Sequence, residues 1–138
     1  MRVYLDSCVV IYLVEKREPW CSRIRRGLLP EEAPLPEVCF TDLTRMECRV
    51  GPVAKGDADA LAEYDRFFAA PQYRHVSMNA PVFDLATDLR AHHRLKTPDA
   101  LHLAAALNAG CDAFRTNDRR LESTAKGRIT VVKTDDLP

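Results

Sequence analysis

Four acidic residues, Asp6, Glu47, Asp99 and Asp118, stand where alternating strands and helices can bring them together. Asp6 ends the apolar run Val3-Tyr4-Leu5, and Asp118 follows Phe114-Arg115-Thr116-Asn117. Asp99 opens a helix, and Glu47 lies about one turn inside another. Two carboxylates ~4 Å apart repel by roughly 4 kcal/mol at an effective dielectric of 20, so a cluster of them protonates or recruits a divalent cation. An all-oxygen donor set selects magnesium, or manganese in its place, over zinc and leaves water in part of the coordination shell. That water is the candidate nucleophile for an in-line displacement at phosphate. Each acid also has a plainer reading: Asp99 complements a helix dipole, Asp6 and Asp118 close turns, and Glu47 sits on a solvated face. The joint reading is stronger, because Asp6 and Asp118 both follow short strands at one sheet edge, where open parallel sheets bind ligands.

The elements that must position these acids follow from the hydropathy pattern. Arg2–Leu5 reads as a buried first strand, followed by a helix from Ser7 that Pro19 stops. A second short helix is expected around Arg23, Arg25 and Arg26, then an exposed loop over Pro30, Glu31, Glu32, Pro34 and Pro36. Val38–Thr41 is the next strand, and Asp42 or Thr41 caps a helix carrying Glu47 that runs to Gly51-Pro52. Ala58–Ala69 has helical periodicity through Leu61, Tyr64, Phe67 and Phe68, which reads as core or dimer surface rather than a base-stacking platform. Tyr73–Met78 is a third strand, and Asn79 or Ser77 opens a helix with Pro81 in its first turn. Thr97 caps a helix over Pro98–Asn108 that ends at Gly110, and Ala113–Thr116 and Ile129–Lys133 supply the last strands. Strands alternating with helices predict a three-layer α/β/α domain around a central, mainly parallel five-stranded sheet over residues 1–138.

Composition narrows the field. Lys plus Arg equals Asp plus Glu at 20 each, so no global field steers the chain toward nucleic acid or membrane, and phosphate binding must be local. The longest apolar run, Cys8–Val14, has seven residues, against the ~20 that cross a bilayer. Asp6 interrupts the amino terminus before a secretory signal develops. The five cysteines are odd in number and widely spaced, and are expected to be reduced core residues of a cytoplasmic protein.

The chain resembles the PIN-domain ribonucleases, and among them the VapC toxins of toxin–antitoxin pairs. The resemblance is carried by Tyr4-Leu5-Asp6-Ser7, Thr44-Arg45-Met46-Glu47, Thr97-Pro98-Asp99-Ala100-Leu101-His102 and Phe114-Arg115-Thr116-Asn117-Asp118, in that order along essentially the whole chain. One departure is Cys8, where many relatives carry asparagine or threonine. The resemblance implies a single PIN domain over residues 1–138 that acts as an endoribonuclease. Asp6, Glu47, Asp99 and Asp118 would hold Mg²⁺ or Mn²⁺, and Ser7 and Thr116 would support them. It further implies cleavage of single-stranded stretches of structured RNA such as tRNA or rRNA, a homodimer, and inhibition by a cognate VapB-type antitoxin. Arg94, Lys96, Arg115, Arg119 and Arg120 are candidates for contacts to the RNA backbone, with surface solubilisation as their plainer role.

Other readings stand beside this one. His92, His93 and His102 invite a metal or acid–base role; for His102, three positions after Asp99, local packing is favoured over a contact with the acids. An aspartyl-nucleophile phosphatase would want an acid two residues after Asp6, where the chain has Cys8, and a dinucleotide-binding module would want glycines that Ser7–Tyr12 lacks. The remaining alternatives are a PIN-fold protein that binds RNA or a partner with little catalysis, and an RNA-processing nuclease outside a toxin–antitoxin pair.

Overall fold

The computed structural model describes residues 1–31 and 34–138, so Glu32 of the expected loop lies outside the described residues. The chain runs β1 (Arg2–Leu5), α1 (Ser7–Val14), α2 (Trp20–Leu28), β2 (Glu37–Phe40), α3 (Asp42–Lys55), α4 (Ala58–Ala69), β3 (Arg74–His75), α5 (Ala80–His93), α6 (Thr97–Asn108), β4 (Ala113–Thr116), α7 (Leu121–Ala125) and β5 (Thr130–Lys133). A 3₁₀ turn, Thr134–Asp136, follows. The strands form one sheet in the order β3-β2-β1-β4-β5, every neighbouring pair parallel.

Alternation along the strands builds the three layers. Val3 and Leu5 of β1, with Val38 and Phe40 of β2, pack under α1, α2, α3 and α4 against Val9, Ile24, Cys48, Tyr64 and Phe68. Tyr4, Cys39 and Phe114 face the other way, onto Val82 and Leu89 of α5 and Leu103 and Ala106 of α6. The sheet is therefore buried on both faces, as parallel sheets with crossover helices require. Chain order moves outward from β1 through β2 to β3, then returns to β4 on the other side of β1. The carboxyl ends of β1 and β4 thus flank a topological switch point, where such sheets open a crevice.

Several boundaries differ from expectation. α3 does not stop at Gly51-Pro52 but carries Pro52 inside it to a left-handed cap at Gly56, φ 66°. The missing N–H of Pro52 removes one intrahelical bond, the one to the Cys48 carbonyl, and the rest of α3 tolerates that loss. α1 ends at Val14 rather than running to Pro19, because the chain turns at Lys16, φ 53°. The expected strand Tyr73–Met78 shrinks to Arg74–His75, an edge strand paired with β2 alone. α6 begins with Lys96, not Thr97, as its cap: Ala100 N–H donates to the Lys96 carbonyl at 3.0 Å. The short helix α7 has no counterpart among the expected elements. The five cysteines carry free thiols, four of them buried.

Candidate functional site

Each candidate acid is delivered to the switch point by a different element. Asp6 follows β1 directly and caps α1, its Oδ1 accepting from the Ser7 backbone N–H at 2.8 Å. Its Oδ2 accepts from the Thr116 hydroxyl at 2.7 Å, which ties the end of β1 to the end of β4. The same Thr116 oxygen accepts from the Asp118 backbone N–H at 3.0 Å and so shapes the turn that presents Asp118. Ser7 through its backbone and Thr116 through its hydroxyl thus both contact the Asp6 carboxylate. The Cys8 thiol lies 4.0 Å from Asp6 Oδ2.

Glu47 reaches the site from α3, whose start is fixed by a reciprocal capping box between Thr41 and Thr44. Its Oε1 meets Nε2 of His102 from α6 in a short hydrogen bond. The same Nε2 lies 3.8 Å from Asp6 Oδ1. One ligand atom from each of Asp6, Glu47 and His102 falls within 4.8 Å of the others. His102 is 2% exposed, Asp6 13% and Glu47 29%, so the cluster grades from the core outward to a wet rim.

Asp99, in the first turn of α6, is linked to this group by its field. Burial first, then the charges of Asp118 and Asp6, push its carboxyl above the ordinary carboxylate value. Asp118 behaves oppositely: hydrogen bonding from Arg120 pulls its carboxyl down. Arg120 grips both Asp118 oxygens, with Nη2 to Oδ2 at 2.7 Å and Nε to Oδ1 at 3.0 Å.

Of the five basic residues expected to touch RNA, Arg94, Lys96, Arg119 and Arg120 are exposed. Lys96 lies close enough to lower the Asp118 carboxyl. Arg115 is not brought to the acids. It points to the face of β4 opposite Thr116, under α2, where Nη2 donates to the Gly27 carbonyl at 3.4 Å. Burial lowers its pKa, and its Nε and Nη1 are buried without a hydrogen-bond partner among the described residues.

The residue that sequence reasoning undervalued is His102. Its favoured reading was local packing, whereas it joins Tyr4 of β1 to Glu47 of α3. The available signal was a lone imidazole in the alanine- and leucine-rich run Ala100–Leu107, three residues beyond an acid of the set.

The carboxylate oxygens of Asp6 and Glu47, converging at one crevice, suit a hard divalent cation. The mutual repulsion that raises Asp99 is what such a cation relieves.

Comparison with known proteins places this arrangement. The PIN-domain profile matches residues 3–127, and the chain belongs to the PIN-domain family. No curated protein sequence matches it. Among solved structures, FitAcB from Neisseria gonorrhoeae superposes with a TM-score of 0.75 at 18% identity, covering 98% of this chain and 99% of that one. VapBC2 from Rickettsia felis, bound to a DNA fragment from its promoter, gives 0.74 at 14% identity over 96% and 98%. VapC20 of Mycobacterium tuberculosis, described as a sarcin–ricin-loop-cleaving toxin, gives 0.71 at 15% identity over 92% and 96%.

Proposed function

We propose that this chain is a Mg²⁺-dependent endoribonuclease of the VapC-toxin type, held in check by a VapB-type antitoxin. The observation that carries the reading is the convergence of Asp6, Glu47 and His102 at the switch point of a PIN-domain fold, with Asp99 and Asp118 electrostatically coupled beside them. The antitoxin is supported by the likeness to structures described as VapBC and toxin–antitoxin complexes. The RNA substrate is supported by the likeness to a sarcin–ricin-loop-cleaving toxin. On this reading residues 1–138 act as one PIN domain in the cytoplasm, as a homodimer. No helix among the described residues is long and apolar enough to cross a membrane.

Asp6, Glu47, Asp99 and Asp118 would hold the cation, directly or through water. Held there, the cation would supply positive charge against the phosphate and would make water easier to ionise at neutral pH. The chain's own residues do the positioning. The Ser7 backbone and the Thr116 hydroxyl each take one lone pair of Asp6, so its rotamer is set before any ligand arrives. Exposed Arg94, Lys96 and Arg119 offer donors to the phosphates of a single-stranded segment. Water rather than a ribose hydroxyl attacks, so the products carry a 5′-phosphate and a 3′-hydroxyl.

The test is end-mapped sequencing of total RNA incubated with the purified protein, with Mg²⁺ or with chelator. Asp6→Asn and Asp99→Asn should each slow cleavage by about 10²- to 10³-fold, the range for losing one preorganised electrostatic group. Cleavage that persists in chelator, or at the wild-type rate in either variant, contradicts the assignment. Co-expression with the small protein encoded beside it should yield an inhibited complex.

A further inference from the structure

The hydrogen bonds behind the acids form a chain whose donors and acceptors can be counted from the backbone outward. In the α3 capping box the Thr41 N–H donates to Thr44 Oγ1 at 3.2 Å, and the Thr44 N–H donates to Thr41 Oγ1 at 3.5 Å. Each hydroxyl has thus accepted a backbone proton and has its own left to give. Both are completely buried, and both lie by the Tyr4 hydroxyl, at 3.1 and 3.3 Å. Tyr4 oxygen can accept from both, which leaves its single proton for the shortest contact it makes, His102 Nδ1 at 2.7 Å. On the other side of the ring, Nε2 faces only carboxylate oxygens, Oε1 of Glu47 and Oδ1 of Asp6. With the Tyr4 proton directed at Nδ1, Nε2 is the ring nitrogen that donates to those oxygens.

We infer that Tyr4 and His102 are positioning residues for the metal site. Tyr4 fixes His102 as the Nε2–H tautomer, and His102 in turn holds Glu47 by its Oε1, leaving Oε2 as that residue's oxygen for the cation. The inference rests on the proposed cation site. It assigns His102 a donor role and denies it a place among the ligands, although its nitrogen lies close enough to be one. The circuit closes on a single element: the cap that starts α3 fixes, through β1 and α6, the side chain of Glu47 farther along α3. Burial supports the direction, since it raises the Tyr4 phenol well above its ordinary value and keeps the proton on the oxygen. The Tyr4 ring stacks on Phe114 with 5.3 Å between centroids, which fixes where its hydroxyl meets Thr41, Thr44 and His102.

Two measurements decide it. In uniformly ¹⁵N-labelled wild-type protein, two-bond proton–nitrogen spectra should report the His102 ring, assigned by its loss in His102→Gln, as protonated at Nε2 and bare at Nδ1. A ring protonated at Nδ1, or at both nitrogens, overturns the proposal. In calorimetric titrations with Mg²⁺ or Mn²⁺, Tyr4→Phe keeps the stacked ring and removes the proton, and should weaken binding roughly tenfold, as losing an outer hydrogen-bond partner does. Unchanged affinity in Tyr4→Phe, or direct ¹⁴N coupling to bound Mn²⁺ in spin-echo spectra of the wild type, also overturns it. Asp6→Asn separates the two levels. Cation binding that this variant leaves intact defeats the site itself, whereas binding that needs Asp6 but ignores Tyr4 defeats only the positioning chain.

Discussion

Tyr64 is 1% exposed yet ends in a hydroxyl that donates to Glu15 at the end of α1. Burial raises the Glu15 carboxyl, but the hydrogen bonds from Tyr64 and Arg17 outweigh it and the net direction is down. A depressed carboxylate stabilises the fold above its unfolded pKa, and that contribution disappears as pH falls through the folded value. Tyr64→Phe should therefore cost about 1 kcal/mol near pH 7, less than a fully buried charged pair because Glu15 keeps 39% of its side-chain exposure. The penalty should shrink toward about pH 3, read as the difference between urea unfolding curves; one that grows toward acid would exclude this assignment. At this scale the sequence was partly legible. Strand-end placement singled out Asp6 and Asp118, and a helix start singled out Asp99, because local pattern fixes where an element begins. His102 was undervalued, since its importance comes from Tyr4, 98 residues away in sequence.

Among the elements, α2 and β4 meet where Gly27 faces the end of Arg115. A Cβ built on Gly27 would stand 2.6 Å from Arg115 Nη1, 3.0 Å from Nη2 and 3.3 Å from Cζ. The guanidinium end occupies the position, so Arg115, whose Nε and Nη1 are buried without a partner among the described residues, must shift to admit a methyl group there. Gly27→Ala should cost about 1–3 kcal/mol by overpacking, measured by chemical denaturation, with RNA cleavage retained in the folded fraction because Arg115 faces away from the acids. An unchanged midpoint would mean that Arg115 swings out freely. Element types were largely readable because apolar period and cap residues are local. Ends were less so: α3 ran through Gly51-Pro52 once Gly56 offered a left-handed cap, and β3 shortened because an edge strand pairs on one side only.

For the molecule as a whole, the cation of the proposed function would couple its binding to folding. A ligand at 100 times its Kd stabilises the native state by about 2.7 kcal/mol. At roughly 2–4 °C per kcal/mol for a domain of this size class, Mg²⁺ should raise Tm by about 5–10 °C. Asp6→Asn should show almost none of that shift, and an equal shift in the variant would point to cation binding elsewhere. Because the net charge is zero, RNA binding under the proposed function would draw on the local cations around the crevice rather than on a long-range field.

The sequence by itself determined the alternation of strands and helices, the parallel three-layer class and the membership of Asp6, Glu47, Asp99 and Asp118 in one candidate set. Those features are written in periodicity, capping residues and motif order, which need no knowledge of distant contacts. That His102 stands between Tyr4 and Glu47, and that Arg115 lies beneath α2 instead of at the crevice, came from the tertiary structure alone. Each of those outcomes depends on which strand lies beside which and on the face a side chain takes, and a linear pattern does not encode that until the sheet order is set.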